Sequence, residues 1–383
     1  MSILQKRLFV VVFIFLVSMT GFHFVYGEKD VQKEIEEARI KRLVEERNFP
    51  ELIKIGKSAV PGLLEIVFRE DLSGKIRVEA IQALGEIRDE SAVAALIEVL
   101  HDKYFYVRRC AALALKKIGY KSAVPALIEA LRDKDYGVRI YAAEAIGEIG
   151  DKSAVPALMQ TLRWEQEWGV GKRAAEVLGK MGDKSLVPAL LEILQLQWED
   201  SNSPGYAAIA LGEIGDKSAL PRLIETLKHE NFAVRTEVAF AIGKIGDKSA
   251  VPALIEALMD KDYMVRSKVA WALGKTRDSS AVPALIQSLR GEVYIPVRSN
   301  VVWALGEIGD KSAVPGLIEG LKDENSEIRR DAAQSLGKIG DKSAIPALTE
   351  TLKDEDWDVQ RAAAEALEKI RGKSAVPALQ KKR

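Results

Sequence analysis

The chain has 383 residues, of which 48% are hydrophobic and 29% are charged. Its 56 Lys and Arg residues balance 56 Asp and Glu residues, so the formal net charge is zero. Nucleic-acid-binding proteins usually carry a basic excess, and this balance argues against that class. With Cys110 as the single cysteine, an intramolecular disulfide is excluded.

The first 27 residues differ in character from the rest. Lys6 and Arg7 precede an apolar run, and a Val-Tyr-Gly sequence ends at residue 27. This pattern predicts a secretory signal peptide that is removed after Gly27. An uncleaved membrane anchor is the alternative, because residues 8–26 are just long enough to span a bilayer. The charges on the two sides of the run place the rest of the chain outside the cytoplasm in either case, in the periplasm, the cell envelope or the medium.

Residues 28–57 read as an N-terminal cap of two helices. The first helix is expected from about Val31 to Glu46, and a turn at Asn48-Phe49-Pro50 precedes a short second helix. Many Glu, Lys and Arg residues surround few apolar ones here, as a terminal repeat with one polar side requires. A C-terminal cap is expected at 374–383, where the basic end suits a helix C-terminus.

From residue 58 onward the phrase Ser-Ala-Val-Pro, or a near variant, recurs every 31 to 33 residues. It begins at Ser58, Ser91, Ser122, Ser153, Ser185, Ser218, Ser249, Ser280, Ser312, Ser343 and Ser374. A fixed period of this length is the signature of a solenoid. Ten repeats are complete, and together they predict a solenoid domain at 58–373.

The unit at residues 122–152 predicts two helices. Ser122 is the expected N-cap of the first helix, and Pro125 falls in its first turn, where no N–H is needed. Asp135 can cap a second helix, which Gly150 ends. One such pair cannot bury its own apolar face, so we expect neighbouring pairs to stack and share a core.

Three features of each unit carry a family resemblance: the helix-one proline, the aspartate of Gly-Asp-Lys-Ser, and the Val-Arg that opens helix two. On these residues the chain resembles the short HEAT-like repeats named after phycobilisome lyases. The resemblance implies an all-α fold, a right-handed superhelical α-solenoid whose second helices line the concave side. It also implies an internal Asp–Arg ladder. Its aspartates would be Asp89, Asp151, Asp183, Asp216, Asp247, Asp278, Asp310 and Asp341, and its arginines Arg77, Arg108, Arg139, Arg235, Arg266, Arg298 and Arg329. The pattern breaks at Gly171, Pro204 and Gln360.

One outward position of helix two is polar in the terminal repeats and apolar in the middle ones. Its occupants in order are Gln82, Leu113, Glu144, Glu176, Ile209, Phe240, Trp271, Trp303, Gln334 and Glu365. The apolar members Ile209, Phe240, Trp271 and Trp303 are expected about 10 Å apart, flanked by Tyr206, Glu237, Lys268 and Asn300. Large aromatic side chains are the usual anchors of protein interfaces, so we predict that these eight residues bind a protein or peptide partner. The alternative is that the row is buried against the next repeat.

Two further patterns recur along the repeats. Aromatic residues open helix two in many units, at Phe105, Tyr136, Trp168, Phe232, Tyr263 and Trp357, and their regularity predicts packing of the inter-helix turn. Glycines lie inside the last turn of helix two at Gly85, Gly147, Gly179, Gly212, Gly243, Gly274, Gly306 and Gly337. Each costs about 1 kcal/mol relative to alanine, which indicates close approach of another backbone, from a neighbouring repeat or a ligand.

Few residues suggest chemistry. The three histidines are His23, His101 and His229, and none has a second histidine three or four residues away. A metal site needs three or four ligands close together. We therefore expect a scaffold without metal, cofactor, catalysis or nucleic-acid binding, with membrane contact only through residues 1–27. A HEAT-like lyase or di-iron hydroxylase and a purely structural envelope protein are the alternatives.

Overall fold

A computed structural model describes residues 28–196 and 202–372, and every regular element in those ranges is a helix. The predicted leader at 1–27 and the predicted C-terminal cap at 374–383 lie outside the described residues. Contacts divide the chain into two compact units, Met1–Ala123 and Val124–Arg383.

In the first unit, α1 (Glu28–Glu45) and α2 (Phe49–Ile55) precede two repeats. The first repeat pairs α3 (Val60–Phe68) with α4 (Gly74–Ile87), and the second pairs α5 (Val93–Val99) with α6 (Phe105–Ile118). Helices α4 and α6 pack on each other. The role of residues 28–57 as a cap stays a prediction.

The second unit contains eight further helix pairs among its described residues. They are α7 (Val124–Ala130) with α8 (Tyr136–Ile149), α9 (Val155–Trp164) with α10 (Trp168–Met181), α11 (Val187–Leu194) with α12 (Ser203–Ile214), α13 (Leu220–Thr226) with α14 (Phe232–Ile245), α15 (Val251–Ala257) with α16 (Tyr263–Thr276), α17 (Val282–Gly291) with α18 (Ile295–Ile308), α19 (Val314–Gly320) with α20 (Ser326–Ile339), and α21 (Ile345–Thr351) with α22 (Trp357–Arg371). From α8 to α22, each second helix packs on the second helix of the next repeat. The predicted all-α fold of stacked helix pairs is confirmed.

The start of helix one differs from the prediction. A short 3₁₀ turn such as Lys152–Ala154 precedes it, and the capping side chain is the aspartate of Gly-Asp-Lys-Ser rather than the serine. Asp151 accepts a hydrogen bond from the Ser153 N–H at 2.9 Å. The serine lies inside the 3₁₀ turn, so its predicted role as N-cap of helix one was wrong. The proline does stand in the first turn of the α-helix.

Helix two begins and ends as the sequence predicts. The Asp135 carboxylate accepts from the Val138 N–H at 3.0 Å, which satisfies one of the free N–H groups of the first turn. At the other end Gly150 has φ 71°, a left-handed conformation that glycine adopts without strain.

Each helix of a pair contributes large aliphatic side chains to the core. Every first helix from α3 to α21 contributes a leucine with no exposed surface: Leu63, Leu96, Leu127, Leu158, Leu190, Leu223, Leu254, Leu285, Leu317 and Leu348. Each such side chain stabilises the fold by about 1.5–3 kcal/mol. Small alanines fill the positions between them on the second helices, for example Ala239 and Ala270, so neighbouring helices can approach closely.

The recurrent glycines of helix two are explained by this close approach. A Cβ atom built on Gly243 would lie 2.8 Å from the Ala272 Cα, and one on Gly274 would lie 2.8 Å from the Ala304 Cα. Real Cβ atoms do not come so near a backbone, so these positions accept only glycine without a shift. The approaching backbone belongs to the next repeat, which decides between the two origins that the sequence left open.

An arginine ladder is present, but its acids are not the predicted ones. Six of the predicted arginines pair with an acid that follows helix one of the next repeat: Arg77 with Asp102, Arg139 with Glu165, Arg235 with Asp260, Arg266 with Glu292, Arg298 with Asp323, and Arg329 with Asp354. The same guanidinium also donates to the inter-helix turn of its own repeat, as Arg235 does to the His229 carbonyl at 2.6 Å. One side chain therefore joins its own turn to the next repeat.

The Gly-Asp-Lys-Ser aspartates form a separate, outer ladder with lysines of the preceding repeat. Its pairs are Lys57–Asp89, Lys152–Asp183, Lys184–Asp216, Lys217–Asp247, Lys248–Asp278 and Lys311–Asp341. These lysines are largely exposed, and exposed ion pairs contribute little to stability. The aspartates serve mainly as caps.

The three predicted breaks have structural substitutes. At Gly171 an added Cβ would lie 2.2 Å from the Tyr206 ring, so this tyrosine fills the space beside the glycine. Pro204 stands where other repeats have the arginine. The position after helix one of the next repeat, where the paired acid would stand, holds His229, so both members of the ion pair are absent. Gln360 keeps half of the arginine's role, since its amide donates to the Asp354 carbonyl at 2.5 Å.

Within residues 28–196 and 202–372, no helix combines the length and the apolar character that crossing a membrane requires.

Candidate functional site

The predicted row divides into a buried part and a half-buried part. Ile209 is 2% exposed and Tyr206 is fully buried, so the prediction that they present a surface was wrong. Tyr206 packs beside Gly171 and against Trp168, with ring centroids 5.3 Å apart. Burial raises the pKa of Tyr206 to about 12. These two residues belong to the core.

Phe240, Trp271 and Trp303 form one stacked array, which we call the aromatic ladder. The centroids of Phe240 and Trp271 lie 5.0 Å apart, and those of Trp271 and Trp303 lie 6.5 Å apart. Their ring planes differ by 20° and 10°. The expected spacing of about 10 Å between these side chains was therefore wrong, because the rings lean along the array and touch. All three remain half-buried.

The glycines of helix two make this stacking possible. A Cβ on Gly243 would lie 2.7 Å from Trp271 Cζ3, and one on Gly274 would lie 2.8 Å from Trp303 Cζ3. Each indole thus rests over a glycine of the preceding repeat. The ladder is fixed in place by the same residues that let the helices approach.

Two lysines lie on either side of the ladder. The Lys268 ammonium is 5.2 Å from the Phe240 centroid and 5.5 Å from that of Trp271. The Lys275 ammonium is 5.4 Å from the Trp271 centroid and 5.3 Å from that of Trp303. Each cation therefore lies within cation–π range of two rings, and these contacts hold both ammonium groups beside the ladder.

The spacing along the helices explains this arrangement. Lys268, Trp271 and Lys275 are separated by three and four residues on α16, so they share one face. The same positions hold Glu237, Phe240 and Lys244 on α14, and Asn300, Trp303 and Glu307 on α18. Sequence reasoning found the first two positions of each set and missed the third. The four-residue step from the ladder was the signal that could have found Lys275.

The neighbouring charges are mostly satisfied within the fold. Lys244 pairs with Glu213 at 3.1 Å, and Glu307 pairs with Lys338 and Arg277. Burial raises the pKa of Glu237, which the charges of Lys172 and Lys268 partly oppose. The Asn300 amide donates to the Ser267 hydroxyl at 2.7 Å.

The second aromatic set is exposed rather than packed. The exposed fractions of Phe105, Tyr136, Phe232, Tyr263 and Trp357 range from 38% for Tyr263 to 61% for Trp357, so the prediction that these side chains pack the inter-helix turn was wrong for them. Tyr263 stacks on Tyr294 with centroids 4.7 Å apart.

No group of three or more His, Cys, Asp or Glu side chains arranged to hold a metal occurs in the part of the chain that the structure describes. The His229 Nδ1 accepts a hydrogen bond from the Asn231 N–H at 3.1 Å. Burial raises the pKa of the Cys110 thiol, which keeps it protonated and poorly nucleophilic.

A family model described as HEAT repeats matches residues 60–140, 124–202, 196–258, 233–295 and 314–381. A second model, described as PBS lyase HEAT-like repeat, matches residues 297–323. No curated protein matches the chain.

Among solved structures the chain is similar to Kap95p in a study of its binding to RanGDP, with 16% identity, a TM-score of 0.61, and coverage of 87% of this chain and 53% of that one. It is similar to yeast importin-β (Kap95p) with 15% identity, a TM-score of 0.60, and coverage of 84% and 52%. It is also similar to Kap95 in a complex with Nup1, with 16% identity, a TM-score of 0.57, and coverage of 84% and 52%. The chain spans about half the length of these importin-β chains, and identities at this level concern the fold alone.

Proposed function

We propose that this chain, which belongs to the HEAT-repeat family, is a non-catalytic scaffold that binds a protein partner on the second helices of its second unit. The aromatic ladder is the centre of that surface, with Lys268, Lys275, Glu237 and Asn300 around it. Ile209 and Tyr206 are buried and are not part of that surface.

The single observation that carries this proposal is the ladder itself. Three large rings lie half-buried in one array, where the same position holds Gln82, Gln334 and Glu365 in the outer repeats. A ring that only filled the core would be buried, as Tyr206 is. Rigid aromatic side chains that keep part of their surface exposed suit a binding surface, since few rotamers are lost when a partner covers them.

The fold supports a binding role in a general way. Solved proteins of this fold bind protein partners: Kap95p binds RanGDP in one structure and Nup1 in another. Function still has to be argued from the site, because one fold serves many functions.

Site-specific photocrosslinking in cells of the source organism tests the proposal. A photoreactive residue replaces Lys268 or Asn300 on the proposed surface, or the exposed Lys322 on an inter-helix turn as the matched control. We expect the two surface positions to crosslink a common protein that Lys322 does not reach. We also expect that product to disappear when Phe240, Trp271 and Trp303 are changed to alanine.

Equal crosslinking from Lys322, or products that persist without the ladder, would contradict the proposal. Bound chromophore or iron in the purified full chain would favour the lyase or hydroxylase alternative. A folded ladder variant that loses no crosslink and causes no defect would favour a purely structural role.

We also propose, from the sequence alone, that residues 1–27 direct export. Fractionation of cells that produce the full chain, beside a chain lacking residues 1–27, tests this. We expect the full chain outside the cytoplasm and the shortened chain inside it. The same location for both would contradict export, and the mass of the exported form would decide between cleavage after Gly27 and an uncleaved anchor.

A further inference from the structure

We infer that the partner segment covering the aromatic ladder is acidic, with carboxylates that meet Lys268 and Lys275 and apolar side chains that pack on the rings. This inference rests on the proposed function and adds the chemistry of the partner. Three observations support it: the placement of these two cations, the absence of an ion pair with either of them among the described residues, and the sign of the charges around them.

The two lysines occupy opposite sides of the ladder. They are seven residues apart on α16, which is about 10 Å along a helix, and Trp271 lies between them. Each ammonium lies between 5.2 and 5.5 Å from two ring centroids. A segment that covers Trp271 therefore passes close to both charges.

Neither lysine forms an ion pair with the residues that the structure describes. The other cations beside the ladder differ, since Lys244 and Lys338 each hold a glutamate of a neighbouring repeat. The Glu237 carboxyl forms no ion pair with the described residues, and burial raises its pKa, which the charges of Lys172 and Lys268 partly oppose. The charges left for a partner are therefore positive.

The rings and the charges contribute differently to the binding free energy. An exposed ion pair contributes less to binding than covering a large aromatic ring does. The ladder accordingly supplies most of the affinity. The lysines favour a segment of negative charge and increase its rate of association. A partner without carboxylates would leave two desolvated cations unpaired, which is unfavourable.

The chain's own basic end does not fit this surface. Lys381, Lys382 and Arg383 would repel Lys268 and Lys275. Nucleic acid is anionic too, but the apolar rungs and the zero net charge of the chain favour a peptide with alternating acidic and apolar residues.

The test measures fluorescence anisotropy of a labelled peptide that repeats Glu-Leu-Gly, titrated with the full chain. Peptides that repeat Gln-Leu-Gly and Lys-Leu-Gly, and a single-stranded oligonucleotide of the same charge, serve as comparisons. We expect the Glu-Leu-Gly peptide to bind most tightly and to weaken as salt is added, because exposed charges are screened.

Four double variants locate the effect. We expect Lys268→Glu with Lys275→Glu to weaken peptide binding by about tenfold or more, and Lys268→Gln with Lys275→Gln to weaken it less. Lys268→Arg with Lys275→Arg should retain binding. Lys322→Glu with Lys353→Glu, which makes the same change in net charge on exposed turns, should have no effect.

Three results would overturn the inference: equal loss in the Lys322 and Lys353 control, equal binding of the Lys-Leu-Gly peptide, or preference for the oligonucleotide. The two proposals fail separately. If the lysine variants keep the photocrosslinked partner while the ladder variant loses it, the binding surface stands and the acidic segment is wrong. If the ladder variant keeps it too, the binding surface itself is wrong.

Discussion

At the scale of single residues, small side chains decide where large ones can lie. The backbone of the next repeat and the edge of an indole ring both pack against Gly243, and the same holds for Gly274. Gly171 receives the ring of Tyr206 in the same way. The position of each ring therefore depends on the glycine of the preceding repeat as well as on the repeat that carries the ring.

Replacing Gly243 with alanine tests this directly. The new Cβ meets the Ala272 Cα at 2.8 Å and Trp271 Cζ3 at 2.7 Å, so we expect a loss of about 1–3 kcal/mol in the free energy of unfolding. Gly291→Ala is the matched control, because nothing lies within 4 Å of the added atom. Urea unfolding followed by circular dichroism measures both. If Gly243→Ala is no less stable than Gly291→Ala, the close approach is wrong.

Tyr206 gives a second residue-scale prediction. It is fully buried, and its hydroxyl has no hydrogen-bond partner among the described residues. Tyr206→Ala should cost about 3–5 kcal/mol, as other deletions of a buried ring do, whereas Tyr206→Phe should cost little because no hydrogen bond is lost. Thermal melts compare the two. A large loss in Tyr206→Phe would show that the hydroxyl is bonded after all.

The sequence could not have shown that Tyr206 and Ile209 are buried. Both follow the periodicity of an outward position, and the period alone assigns them to the surface. The deciding facts are the space at Gly171 and the close packing around Pro204, where an arginine pair is replaced. A large side chain in one repeat that fills the space beside a glycine in another repeat cannot be predicted from the pattern of a single repeat.

At the scale of the elements, the arginine ladder joins consecutive helix pairs. The Arg235 and Asp260 side chains are 5% and 11% exposed, and their closest atoms lie 2.6 Å apart. Burial alone raises the pKa of Asp260, but the hydrogen bonds from Arg235 and the Asp262 N–H outweigh it, so the pKa lies below its ordinary value. The pKa values of Asp354 and Glu292 are lowered in the same way.

This predicts a specific dependence of stability on pH. A carboxyl whose pKa is lower in the folded than in the unfolded chain stabilises the fold above its unfolded pKa, about 4, and this stabilisation is lost as pH falls through the folded pKa. We expect Arg235→Met to lower the free energy of unfolding by about 3 kcal/mol at pH 7, because Asp260 is left buried and charged. The difference from the unchanged chain should shrink as pH falls and Asp260 becomes neutral.

Urea unfolding at pH 7 and pH 3 measures that difference. Lys217→Met is the control, because its pair with Asp247 is exposed and should contribute much less to stability. A difference for Arg235→Met that stays constant with pH would contradict the role assigned to the pair.

Helix positions followed from the sequence more closely than helix contacts. The Asp135 cap, the Gly150 end and the first-turn proline depend on local backbone geometry, which neighbouring residues set. The cap of helix one was misassigned because Asp151 and Ser153 are both good caps, and only the 3₁₀ turn decides between them. The acids of the arginine ladder were misassigned because two acidic positions per repeat fit the period equally well.

At the scale of the whole chain, the repeat length alone predicted stacked helix pairs, since each pair must bury an apolar face against the next. The same regularity limits what can be predicted about function. It identified Phe240, Trp271 and Trp303 as exceptions in a polar position, but gave neither their mutual contact nor the part played by Lys275. Those depend on how far side chains lean between repeats.

The most direct test of the binding surface compares two triple variants in capture of the photocrosslinked partner. One changes the ladder (Phe240→Ala, Trp271→Ala, Trp303→Ala), and the other changes exposed turn aromatics (Phe232→Ala, Tyr263→Ala, Trp357→Ala), with circular dichroism melts for both. We expect the ladder variant to lose the partner and the turn variant to keep it, each with helical content like that of the unchanged chain. Loss in the turn variant, with retention in a folded ladder variant, would contradict the account and move the binding surface to the inter-helix turns.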